Sequence, residues 1–243
     1  MTTSARQAKI FTGLMTTTAL LVAGDALLHW HRVQYFRVLT LLMIAVVASR
    51  FKLKLPGLNS NMSVNLPFIL IATVQLSLFE ALIVGLASTL VQCFPKDRSK
   101  LQPLQLLFNL STMAVAVGIG NLVFQQRGAG GANWASSSLL LVLVATGFFC
   151  AQTIPVAAVI SLTEGGKLIR IWSTIFHLSF PYYVLSAGVT SIVATASAHV
   201  GWPIPVLALP VMYATHLSYR LYFRSAVSLE KTQALAKSAS ACG

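Results

Sequence analysis

The chain has 243 residues, of which 56% are hydrophobic and 9% are charged, and its mean hydropathy is +0.76. Soluble domains carry about 25% charged residues, so this composition excludes an ordinary soluble fold. Seventeen Lys and Arg stand against five Asp and Glu. Because these basic residues cluster at the ends of apolar runs, we interpret them as determinants of membrane orientation and as contacts to anionic lipid, and we exclude a nucleic-acid surface.

Two apolar runs open the chain. Residues 11–28 follow a short polar start and predict a first span. A basic start, an apolar core and small residues near its end are also typical of a cleaved signal peptide, but this run is long for one and further spans follow at once. Residues 35–49 predict a second, short span, which stops at the basic segment 50–54. Pro56 and Gly57 then predict a loop.

The rest of the chain predicts six further spans and one surface helix. The third and fourth spans form a tight hairpin, and the fifth begins after Pro103, as expected for proline in a first helical turn. The sixth is long enough to tilt or to be broken at Pro155. Residues 168–176 predict a short interfacial helix with Trp172 at the headgroup level. The six spans are predicted at residues 64–78, 81–94, 104–124, 136–162, 181–198 and 204–222.

The distribution of charge orients these eight spans. With the N-terminus in the cytoplasm, fourteen of the seventeen Lys and Arg lie inside, and Arg32, Arg37 and Arg127 lie outside. Loss of one span would invert every later loop and place most of this charge outside. The sequence therefore predicts an all-α, polytopic transmembrane helical bundle in the bacterial cytoplasmic (inner) membrane, with both termini cytoplasmic. Residues 1–223 form the membrane domain, and residues 224–243 form a short cytoplasmic tail.

Polar side chains within the spans are the candidate ligand-binding residues, because an ionisable group in hydrocarbon costs a few kcal/mol and usually faces a cavity or the protein interior. Asp25 and His29 lie one helical turn apart, so they can pair with each other or contact a ligand. Glu80 is expected at the outer tip of the hairpin, solvated or paired with Arg37 or Arg127. Amide side chains join helices as readily as they bind ligands. The candidates are Asp25, His29, Gln75, Glu80, Asn109 and Gln152.

Catalytic and metal-binding chemistry lacks the necessary residues. The sequence has no nucleophile-elbow, zinc-protease or nucleotide-binding motif, and five acidic residues offer little for acid–base catalysis. Cys93, Cys150 and Cys242 have no spacing typical of a zinc site or a disulfide framework. We therefore predict a protein that is not an enzyme and that needs no metal or other cofactor.

Three segments in the first half of the chain resemble a known family. They are KLPGLNSNMSVNLPFIL from Lys54, LFEALIVGLAS from Leu78 and LFNLSTMAVA from Leu107. Their pattern resembles the N-terminal membrane sensor region that precedes GGDEF and HD-GYP output domains in bacteria. Gly85 and Asn109 are the most specific positions of this resemblance. It is more distantly similar to the substrate-binding components of energy-coupling-factor transporters. The resemblance covers about residues 50–125.

The resemblance implies a sensor-like module that binds a small or lipophilic ligand, or a partner protein, between its helices. A sensor continues into an output domain, whereas only the tail 224–243 follows the last predicted span here, so we expect the tail to engage a membrane or cytoplasmic protein in trans. One alternative is a solute-capturing component of a transporter that separate subunits energise. Another is a structural or assembly subunit of a membrane complex. The lipid bilayer is an expected partner in every case, and nucleic acid is not.

Overall fold

The protein is a bundle of helices, which the computed structural model describes over residues 3–29, 34–54, 61–94, 103–125, 134–200 and 204–221. In chain order the elements are α1 (Thr3–Leu28), α2 (Tyr35–Ser49), β1 (Lys52–Lys54), β2 (Asn61–Ser63), α3 (Leu66–Gln75), α4 (Leu78–Cys93), α5 (Pro103–Gln125), α6 (Trp134–Glu164), α7 (Leu168–Val200), a 3₁₀ turn (Ile204–Leu207) and α8 (208–221). Four of these helices, α1, α5, α6 and α7, are long and apolar enough to cross a membrane. The predicted all-helical membrane bundle is confirmed, with a helix at each predicted span.

Helix α7 differs from the prediction, because the expected surface helix and the seventh span form one continuous helix through Pro181. Proline removes one backbone donor, but a break in apolar surroundings would leave several backbone groups without partners. Aromatic packing supports the continuous helix on both sides of the proline, since the rings of Phe176 and Phe180 stack at 4.6 Å and both contact Phe149 of α6. Helix α6 likewise continues through Pro155.

Side-chain contacts fix the relative directions of the helices. Phe11 of α1 lies beside Phe108 of α5, and Val22 of α1 lies beside Gly118 of α5, so α1 and α5 run in the same direction. Helices α4 and α6 run the opposite way along α5. The contacts that show this are Cys93 with Asn109 and Gly85 with Val117 for α4, and Gln152 with Met113 and Val144 with Gly120 for α6. These are the directions that eight alternating spans require.

Helix α3 lies at the centre of the bundle. Every residue from Leu66 to Thr73 is buried, and the helix packs against α2, α4, α5 and α7. An apolar character on all sides is typical of such a position. Ten residues make a helix about 15 Å long, half of the roughly 30 Å hydrocarbon thickness. The predicted run 64–78 is therefore a shorter helix than expected, and protein encloses it.

A small β-hairpin precedes α3, where the sequence predicted only a loop. Strand β1 pairs with β2 in antiparallel register, with Leu53 opposite Met62. The hairpin satisfies backbone hydrogen-bonding groups locally at the point where the chain turns into the bundle.

Candidate functional site

An apolar pocket of about 310 Å³ lies between the end of α2, the start of α3 and the first turns of α8. Its volume lies at the lower end of the range of small-molecule sites, roughly 300–1,000 Å³. The lining side chains are apolar, apart from one tyrosine hydroxyl group. They are Val47, Ala48, Phe51, Val64, Phe68, Leu209, Pro210, Met212 and Tyr213.

The pocket has a buried floor and an exposed mouth. Phe68 and Met212 are 0% and 1% exposed, whereas Val47 and Tyr213 are 49% and 55% exposed. Large apolar side chains such as Met43 continue the exposed surface beside the mouth. In a membrane protein such an exposed apolar surface is suited to contact with lipid.

Helix α7 holds the floor of the pocket in place from behind. Tyr182 is 1% exposed, and its hydroxyl group lies near the Ser186 side chain and the backbone of Leu66. The hydroxyl group of Thr190 lies 3.4 Å from the carbonyl oxygen of Pro67 and 2.8 Å from that of Ser186. These contacts fix the first turn of α3, whose next residue, Phe68, is part of the pocket floor.

Aromatic rings join α8 to its neighbours on both sides of the pocket. The ring centroid of Phe51 lies 5.7 Å from that of Tyr213 and 5.6 Å from that of His216. Tyr219 lies edge-on to Tyr182 of α7, with ring centroids 6.3 Å apart. Helix α8 is thus positioned by the end of α2 and by α7.

Exposed basic residues lie on, or next to, two of the helices that line the pocket. Arg50, next to Phe51, is exposed, and so is Arg220, which lies one turn after His216 in α8. Strand β1 begins at Lys52 and ends at Lys54. Within the described part of the chain neither arginine is in an ion pair. The exposed arginines therefore give the end of α2 and the last turn of α8 a positive charge.

Glu80 does not occupy the solvated position that the sequence predicted. The residue is 2% exposed, and its carboxylate group accepts hydrogen bonds from the backbone N–H of Gln34 at 2.6 Å, from the Ser77 N–H at 2.9 Å and from the Ser77 hydroxyl group at 2.9 Å. Ser77 and Glu80 form a capping box at the start of α4. Arg37 makes no ion pair in the described chain, and Arg127 lies outside the described residues. Two backbone N–H groups and the Ser77 hydroxyl group bind the carboxylate group, because they lie within reach of it without any extended side chain.

Asp25 and His29 pair with each other near the end of α1. Asp25 Oδ1 lies 3.1 Å from His29 Nδ1, and their side chains are 56% and 74% exposed. The pairing expected from their spacing is present. No group of three or more possible metal ligands exists among the described residues.

The amide side chains contact different helices at different depths. Asn109 donates to the sulfur atom of Cys93 at 3.4 Å, and Gln152 donates to the sulfur atom of Met113 at 3.5 Å. Gln75 is half-buried at the last position of α3. These contacts join neighbouring helices, as polar groups in membrane bundles commonly do.

The six predicted site residues do not converge on one cavity. Glu80 and Cys93, the partner of Asn109, lie thirteen positions apart on α4, which is about 20 Å along the helix axis. None of the six lines the apolar pocket. The sequence reasoning missed the pocket because its lining consists of ordinary apolar residues from three distant segments, which carry no motif.

Comparison with known proteins identifies the family. The model of the membrane-associated sensor domain family MASE9 matches residues 9–224, from the first helix to just beyond the last. No similar protein was found among curated proteins or among solved structures. The match confirms the predicted resemblance to a membrane sensor region, whereas the links to GGDEF or HD-GYP output domains and to energy-coupling-factor transporters stay predictions. By its matched length and its apolar helical bundle, the chain belongs to the MASE9 family of membrane-associated sensor domains.

Proposed function

We propose that this sensor domain is a non-catalytic, multi-pass module of the bacterial inner membrane that detects a lipophilic molecule in its apolar pocket. The observation that carries the proposal is the position of α8. This helix supplies Leu209, Pro210, Met212 and Tyr213 to the pocket and leads directly into the C-terminal tail. An occupant of the pocket therefore contacts the element that precedes the expected partner-binding segment.

The mechanism is a shift between two packings of α8. A ligand changes such an equilibrium only if it binds one packing more tightly than the other. When α8 lies against α2, an occupant of the pocket can contact both Phe51, which follows α2, and Met212 of α8. The occupant therefore favours this packed position. The aromatic contacts of Tyr219 with Tyr182 extend the same coupling to α7. The tail then presents a different surface to its partner protein in the occupied and the empty states.

Photolabelling tests whether the pocket binds lipophilic molecules. We would label the protein in nanodiscs with an uncharged alkyl diazirine and map the modified peptides. Saturable labelling of Phe51 and Met212 is expected. Val47→Trp, which narrows the mouth, should abolish it, whereas Leu39→Trp, at a position 58% exposed on the same helix and outside the pocket, should not. Labelling that does not saturate, or that Val47→Trp leaves unchanged, would refute ligand binding at this site.

Hydrogen exchange tests whether binding is sensed. With the pocket occupied, backbone amides of α8 and of the tail should exchange more slowly than in the Val47→Trp variant. Identical exchange rates in both proteins would show that an occupied pocket leaves α8 and the tail unchanged, and this result would overturn the sensor role. Stable co-purification of other membrane subunits with an unlabelled pocket would instead support the assembly role.

A further inference from the structure

We infer that the occupant of the pocket is an anionic phospholipid of the adjacent leaflet, with one acyl chain in the apolar cavity and the headgroup between Arg50 and Arg220. This inference rests on the proposed function and names the chemical class of its ligand. It follows from two features, an apolar cavity with exposed lining residues and a pair of exposed cations on, or next to, two of the helices that line it.

The cavity selects hydrocarbon. Its floor, which includes Phe68 and Met212, is apolar and almost completely buried. A polar solute would lose its hydration there without gaining hydrogen bonds, which is unfavourable. The exposed apolar surface beside Val47 is continuous with the mouth, so an acyl chain can enter sideways from the bilayer without crossing water.

The mouth selects negative charge. Arg50 follows the last turn of α2, and Arg220 lies on α8 one turn beyond His216, whose ring contacts Phe51. Both arginine side chains are exposed, and in the described chain neither has an acidic partner. Guanidinium groups bind phosphate oxygens in a bidentate manner. Basic sites between membrane helices on the cytoplasmic side are typical binding sites for anionic lipid headgroups.

The decisive experiment compares lipids that share acyl chains and differ in headgroup charge. We would place the protein in nanodiscs that contain phosphatidylglycerol and phosphatidylcholine and count the lipids retained by native mass spectrometry. The wild-type protein should retain one phosphatidylglycerol in preference to phosphatidylcholine. Each of Arg50→Gln and Arg220→Gln should lower this preference by about fivefold, the effect of roughly one basic residue at an anionic lipid surface.

Matched variants separate this site from general surface charge. Arg37→Gln removes an exposed arginine from the opposite end of α2 and should leave the preference unchanged. The double variant Arg50→Lys with Arg220→Lys keeps the charge and should restore most of the preference. An equal loss in Arg37→Gln would overturn the inference, because it would show only nonspecific attraction.

Two further outcomes would also overturn it. If phosphatidylglycerol and phosphatidylcholine are retained equally while the alkyl diazirine still labels Met212, the pocket binds an uncharged molecule and the proposed function stands without this ligand. If the preference appears only after residues 225–243 are removed, the tail of this chain is the occupant. Absence of diazirine labelling in wild-type protein that also retains no phospholipid would instead refute the proposed function itself.

Discussion

The backbone N–H of Gln34 donates a 2.6 Å hydrogen bond to Oε1 of Glu80, although 46 positions separate the two residues in the chain. Gln34 is the N-cap residue of α2, and Glu80 lies in the first turn of α4. One carboxylate group therefore faces the N-terminal ends of two helices, where the helix dipoles favour negative charge. This contact fixes one end of α2, whose other end borders the pocket.

Replacement of Glu80 by glutamine should destabilise the bundle. The amide group keeps one acceptor oxygen but turns an NH₂ group toward the N–H donors of Gln34 and Ser77. We expect the free energy of unfolding to fall by about 1–3 kcal/mol, measured by denaturation in detergent micelles. Glu164→Gln is the matched control, because Glu164 is exposed at the end of α6. Equal stability of the two variants would contradict the role assigned to this carboxylate group.

A close contact between α1 and α5 makes Gly118 sensitive to substitution. A Cβ atom at this position would lie 2.8 Å from Cγ1 of Val22, too near for an ordinary contact. Gly118→Leu should therefore push the helices apart and lower the free energy of unfolding by about 1–3 kcal/mol. Gly24→Leu places the same side chain on α1, where a Cβ atom has nothing within 4 Å. A thermal-shift assay should rank Gly118→Leu well below Gly24→Leu, and the reverse ranking would refute the contact.

The hydroxyl group of Tyr182 should matter more than that of its neighbour Tyr183. Tyr182→Phe removes a buried hydroxyl group that lies near Ser186 and the backbone of Leu66 and should lower the free energy of unfolding by about 1 kcal/mol. It should also loosen α3, seen as faster hydrogen exchange in residues 66–75. Tyr183→Phe keeps the ring that packs edge-on to Phe149 and should change little. Faster exchange in both variants would show that the ring environment, and not the hydroxyl group, is responsible.

The amide groups on α5 and α6 are expected to join helices and not to bind the ligand. Asn109→Leu and Gln152→Leu each lose a weak hydrogen bond to sulfur, so the free energy of unfolding should fall by less than about 1 kcal/mol. Labelling of the pocket by the alkyl diazirine should be the same as in the wild-type protein. A loss of labelling in either variant, without a loss of stability, would show that the replaced residue is needed for ligand binding.

Membrane orientation gives a prediction that reporter fusions can test. Green fluorescent protein fused after residue 243 should fluoresce, because both termini are predicted to be cytoplasmic. Alkaline phosphatase inserted within residues 126–133 should be active, because that segment is predicted to lie outside. Active phosphatase at the C-terminus would imply an odd number of crossings and would place Arg220, near the end of α8, on the outer side of the membrane.

The helix pattern was accessible from the sequence because apolar runs and their basic ends obey the physical limits of a bilayer. The same pattern does not distinguish lipid from protein as surroundings, since both favour apolar side chains. For this reason the enclosure of α3 by protein, and the place of Phe68 in the floor of a pocket, could not be predicted from the sequence. The capping role of Glu80 is different, because Ser77 three positions before it is a recognisable signature. The ligand-oriented interpretation of Glu80 overlooked that local signal.

The enclosure of α3 also constrains how the protein is made. A ten-residue helix is too short to settle across a bilayer during synthesis, and one of the partners of its first turn, Thr190, follows Pro67 by 123 positions. The centre of the bundle is therefore completed only after most of the chain has left the ribosome. Truncations that remove α7 leave this apolar centre uncovered, and such fragments are expected to be substrates for membrane quality-control proteases.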